Sequence, residues 1–94
     1  MAADVPMNFA VVKCCSADAF DAIPQALVKV DVGKALAVLK SKGWREVADA
    51  GIMCVVEKGG IEATLYSSGR ILVKTADSII AEKTSKEVYE AISV

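Results

Sequence analysis

Apolar residues recur along this chain with two different periods, and the change from one to the other organises it. From Met7 to Cys15 the run Met-Asn-Phe-Ala-Val-Val-Lys-Cys-Cys is dense in β-branched and apolar residues, the composition of a strand. Ser16 offers a cap for a short helical turn through Ile23, which Pro24 ends. Gln25 to Val30 fits a loop, a strand or an approach to the next helix. Asp31 is then a good N-cap, because its short carboxylate can accept from the free amides of a first turn. Val32, Ala35, Leu36 and Leu39 follow at i, i+3, i+4 and i+7, one face of a helix. Lys40 and Lys42 stand at its negative end, and Gly43 supplies a left-handed stop.

After Gly43 the period becomes two. Trp44 to Ala48, Gly51 to Lys58, Ile61 to Tyr66 and Arg70 to Thr75 read as four short strands. Their joints are Asp49-Ala50-Gly51, Gly59-Gly60 and Ser67-Ser68-Gly69. Gly59-Gly60 is a strong hairpin signal, since both central residues of a type I′ turn need positive φ. Joints this short leave no room for crossover helices, so the strands form an antiparallel meander. Asp77 offers an N-cap for a C-terminal helix through Ile92, with Ile80, Thr84, Val88 and Ala91 or Ile92 along one stripe. Thr84-Ser85-Lys86-Glu87 has the form of a capping box, so Ser78 to Glu82 can alternatively be read as a further strand; one long helix is preferred. The order strand, helix, four antiparallel strands, helix gives an α+β two-layer sandwich with helices on one face of the sheet.

Composition narrows the class. Ninety-four residues make a single domain (1–94) able to bury a modest core without metals or disulfides. That core must be aliphatic, since 54% of residues are hydrophobic and only 5% aromatic. Mean hydropathy is +0.44, but no uncharged apolar run approaches the roughly 18 residues that a spanning helix needs. The first residues lack a basic leader followed by an apolar stretch, so a soluble, cytoplasmic protein is expected. Eleven basic residues against twelve acidic ones, scattered singly, are not the basic excess that phosphate binding favours. Cys14, Cys15 and Cys54 have no metal-ligand spacing and the chain has no histidine; they read as small buried hydrophobes in a reducing compartment. No phosphate-cradling loop and no nucleophile motif occurs. Nothing in the sequence brings Glu62 to Glu57 or Asp49 as a carboxylate pair. No catalytic residue, cofactor or metal is therefore expected.

The segment Gly51-Ile52-Met53-Cys54-Val55-Val56, then Ile61 to Tyr66, Ser67-Ser68-Gly69-Arg70 and Ile71-Leu72-Val73 before a helix, resembles one repeat of the TATA-box-binding protein. Small archaeal single-copy proteins of unknown role share that fold. Asn8, at the start of the first strand, is similar to an asparagine of the family, although about ten extra residues separate this strand from the helix. The resemblance implies an open sheet face that lies on a DNA minor groove, with aromatic wedges at two strand ends. Tyr66 matches one wedge position. The other falls near Asp49, where a carboxylate cannot wedge, and Glu62 and the single repeat are further departures.

By strand alternation Glu62, Thr64 and Tyr66 share a face, joined by Leu72 and Lys74 on the next strand. Two readings follow. In the preferred one this apolar open face, with Thr64, Tyr66, Leu72 and either Val55 or Cys54, buries against a second copy or another protein. In the alternative it binds nucleic acid, with Tyr66, Arg70, Lys74 and Lys58 in contact. The candidate binding residues are thus Thr64, Tyr66, Arg70, Leu72 and Lys74. Trp44, just past the helix, reads as a core plug between helix and sheet.

Overall fold

The computed structural model describes residues 9–13, 18–24 and 29–92. In chain order these form β1 (Phe9–Lys13), β2 (Phe20–Pro24), α1 (Val32–Ser41), β3 (Arg45–Asp49), β4 (Met53–Lys58), β5 (Ile61–Tyr66), β6 (Ile71–Val73) and α2 (Ser78–Ile92). The architecture is α+β: one six-stranded antiparallel sheet in the order β1-β2-β6-β5-β4-β3, with two helices.

Helix α1 forms where its spacing predicts. The Asp31 carboxylate accepts a hydrogen bond from the Lys34 amide at 3.1 Å, and Val32, Ala35, Leu36 and Leu39 are buried. Gly43 follows with φ +96°, and Trp44 plugs the core beyond it, 5% exposed. Strands β3 to β6 form the predicted meander.

Two expectations are corrected. The helical turn from Ser16 to Ile23 does not form over the described part of that stretch, because Phe20–Pro24 is strand β2, hydrogen-bonded to β1 on one side and β6 on the other. Phe20 and Ala22 pack into the core, while Asp21 and Ile23 point away from it. An outward isoleucine hides that alternation from a sequence reading. Strand β2 also accounts for part of the extra length between the first strand and α1. Asn8, Cys14, Cys15, Ser16 and the segment 25–28 lie outside the described residues.

The second correction concerns the buried stripe of α2, whose single long helix forms as preferred. The helix starts at Ser78, capped by Asp77, whose Oδ1 accepts from the Ile79 amide at 2.8 Å, so no strand forms over Ser78 to Glu82. Its buried stripe is Ala81, Ser85, Val88, Tyr89 and Ile92, and Ile80 is left 38% exposed. A purely apolar stripe passes over Ser85 and Tyr89, yet Tyr89 is the largest fully buried side chain. Its hydroxyl is satisfied by the Gly69 carbonyl at 2.6 Å and, less closely, the Ala22 carbonyl at 3.3 Å.

Both helices lie on one face of the sheet. Alternate strand residues, Ala22, Ile71, Val73, Ala63, Leu65, Cys54 and Val56, are buried with the helix stripes in a single aliphatic core. The other face carries no element of the described residues.

Candidate functional site

The register of the sheet fixes what the helix-free face displays. Facing residues in antiparallel strands lie side by side on the same surface. One row runs Val12, Asp21, Leu72, Thr64, Val55 and Ala48, crossing all six strands. On one side of it lies a mainly apolar row with Ala10, Ile23, Arg70, Tyr66 and Met53, closed by the bond from the Tyr66 amide to the Arg70 carbonyl. On the other side the row is charged: Lys74 just past β6, then Glu62, Glu57 and Arg45 on β5, β4 and β3.

All five candidate residues, Thr64, Tyr66, Arg70, Leu72 and Lys74, therefore meet on one surface. Thr64 is its centre and is only 6% exposed, flanked by Val55 and Leu72 across the strands and by Glu62 and Tyr66 along its own. Of the two residues offered as neighbours, Val55 belongs to this face, whereas Cys54 points into the core and is fully buried. Lys58 does not belong here. Strand alternation turns it to the helix side, where its ammonium meets Glu87 of α2 at 2.9 Å and lies 5.7 Å from the centre of the Trp44 ring. Asp49 is also off this face; it pairs with Cys54, and its carboxylate accepts from the Gly51 amide at 2.9 Å within the β3–β4 turn.

Electrostatically the face is self-neutral. Arg70 Nε approaches Asp21 Oδ1 at 3.2 Å, an ion pair not aligned as a hydrogen bond, and its guanidinium lies 4.7 Å from the centre of the Tyr66 ring. Lys74 stands 3.9 Å from Glu62, and Arg45 hydrogen-bonds Glu57 at 2.7 Å. That hydrogen bond, with the Glu57 charge, raises the Arg45 guanidinium above its ordinary value. Sequence reasoning missed Asp21, because β2 was not read as a strand. It also missed that Glu57 faces Glu62, although the two-residue Gly59-Gly60 turn fixes that register.

Chemically, the surface offers apolar contact and paired charges. Among the described residues no three metal-ligating side chains cluster. The buried Cys54 thiol is pushed up to about 11, mainly by burial, with Asp49 and Glu46 adding to it; such a thiol is not an active nucleophile. A shallow cleft of about 270 Å³ on the helix side is lined by Lys42, Trp44, Lys58, Glu87 and Glu90, and the Lys58–Glu87 pair joins two of its walls. Among the described residues no helix is long and apolar enough to cross a membrane. No protein-family model, curated protein or solved structure matches the chain.

Proposed function

We propose that this chain is a protein-binding module that works through the helix-free face of its sheet. The observation that carries the reading is the pairing of charge with exposed apolar surface. Arg70, Lys74 and Arg45 each already hold a carboxylate within the face, so the surface has no net charge to draw a polyanion. A phosphate approaching Arg70 or Lys74 would meet Asp21 or Glu62 beside it. Val12 and Ile23 meanwhile stand 45% and 42% exposed beside Asp21 and Arg70, apolar area that a protein partner would remove from water.

The likeness to a TATA-box-binding-protein repeat is supported by element order: β2, α1, β3 to β6 and α2 follow the family's sequence, with β1 added outside. That family uses this face for DNA. Here the same face carries three acids, which supports kinship of shape with a different partner.

Photo-crosslinking tests the reading. With benzoyl-phenylalanine in place of Val55, the full chain irradiated in its native cells is expected to yield discrete adducts containing protein. Nucleic-acid adducts, or none at all, would overturn it. Titration with short duplex DNA and RNA at low salt gives an independent check, because salt-sensitive NMR shifts at Tyr66, Arg70 and Lys74 would favour nucleic acid.

A further inference from the structure

Building on the protein-binding reading, we infer that the occupant of this face is a second copy of the chain, packed sheet on sheet about a two-fold axis. The axis runs along the strands, between β5 and β6. This line is the middle of the sheet, since three strands lie on either side of it (β1, β2, β6 and β5, β4, β3). Rotation about it lays each β5 on the other copy's β6, and the face covers itself with no strand left over.

The side chains brought together are complementary. Glu62 comes over Lys74 of the second copy, Thr64 over Leu72, and Tyr66 over Arg70, and the two-fold repeats each contact. The cross-strand partners within one chain thus become partners between chains. Lys74 with Glu62, 3.9 Å apart, and Arg70 over Tyr66 already meet as opposite charges and as cation on ring within the chain. On the flank Val55 comes over Asp21, whose side chain is only 13% exposed and already holds Arg70, so little further charge is desolvated. Packed sheets usually cross at about 30°, which keeps the central pairs in reach.

The same charges oppose two neighbouring alternatives. An axis one strand over, between β5 and β4, would set Glu62 on Glu57 of the second copy. An axis across the strands through the Leu72 row would set Lys74 on Arg70, both on β6-side positions of the face. Like charges brought together at an interface are strongly unfavourable. Six strands about 4.8 Å apart and about 10–20 Å long give a plan area on the order of 400–500 Å², which with side-chain relief moves toward the roughly 800 Å² per partner of a standard interface.

Sedimentation of the full chain over a concentration series up to about 1 mM tests this, with dimer expected for the parent sequence. Glu62→Lys places lysine over Lys74 of the second copy, and Lys74→Glu places glutamate over Glu62; each alone should weaken the dimer about tenfold or more. Mixing the two variants should restore a heterodimer, since lysines on one chain then face glutamates on the other. Each variant lacks the pair within its own chain, so recovery on mixing cannot come from restored folding. Lys83→Glu, which makes the same charge change on the outer side of α2, should neither weaken the parent dimer nor rescue Glu62→Lys on mixing. A chain that stays monomeric throughout, or a mixture no better than the Lys83→Glu control, would overturn the inference. A monomer crosslinked through position 55 to a different protein would sink this inference and leave the binding reading standing, while nucleic-acid adducts would sink both.

Discussion

Tyr89→Phe isolates the polar anchor between the second helix and the face. Tyr89 is fully buried, its ring packs on Phe9 at 4.9 Å between centroids, and its hydroxyl donates to the Gly69 carbonyl at 2.6 Å. Phenylalanine keeps the ring and its apolar contacts, so the change reports the hydroxyl alone. Removing it leaves the Gly69 carbonyl, and more weakly that of Ala22, short of a donor in the interior. An orphaned buried acceptor costs about 1–3 kcal/mol, and the short bond argues for about 2 kcal/mol. In a domain of this size that corresponds to a melting temperature lower by roughly 8–16 °C. Urea titration followed by Trp44, the chain's single tryptophan and a buried one, should show a lower midpoint at an unchanged slope. The loss should concentrate at the Ser67–Gly69 turn, so the Gly69 amide, bonded to the Tyr66 carbonyl at 2.9 Å, should exchange faster than the sheet around it. A change below about 0.5 kcal/mol would refute the reasoning, because the ring alone would then hold the turn.

Three further outcomes can be measured in the same way. Asp31→Ala removes the acceptor that caps α1 and should cost about 1 kcal/mol in urea unfolding. Two glycine substitutions should have opposite signs: Gly60→Ala, at φ +83° with open space around the added Cβ, should cost about 1–2 kcal/mol from backbone strain alone. Gly33→Ala, inside α1 with Asp31 Oδ1 3.5 Å away, should instead gain up to about 1 kcal/mol. Stability should also fall in alkali: the Cys54 thiol is raised from 9.0 to about 11, so the unfolded chain ionises first, and stability is complete below pH 9 and drains between 9 and 11 by about 2–3 kcal/mol. Tyr89, raised from 10.0 by burial, extends the decline above pH 10. Cys54→Ala should abolish the part between pH 9 and 10 that the thiol supplies, and an unchanged slope there would refute the assignment.

The readable elements are those whose signals are local. Asp31 with its four-residue stripe defines α1, and Gly59-Gly60 defines a hairpin, because caps and two-residue turns act over a few bonds. The five site residues were placed on one face because alternation is a property of each strand and the turns are too short to change it. Strand β2 escaped because Ser16 and Pro24 imitate the two ends of a helical turn and Ile23 faces outward. What joins β2 to β6 is a pairing between distant parts of the chain, which no local pattern announces. That pairing supplies Asp21, and with it the finding that Arg70 is not a free cation. Lys58 was misplaced for a simpler reason: it lies an even number of residues from the core positions Cys54 and Val56, which already assigns it to the helix side.

The charged row gives the face a property its stability does not require. Glu57 and Glu62 directly oppose each other, an unfavourable cross-strand pair, and are tolerated because Arg45 and Lys74 flank them. Exposed pairs of this kind contribute on the order of 0–1 kcal/mol to a fold, so an uncharged row would fold as well. In the proposed dimer these charges carry more weight, since moving a copy by one strand toward β4 turns attraction of Glu62 for Lys74 into repulsion by Glu57. An apolar face alone would bind without choosing a register. In the proposed dimer the row Lys74, Glu62, Glu57, Arg45 would favour one alignment, and its energetic weight would fall there and not on the fold.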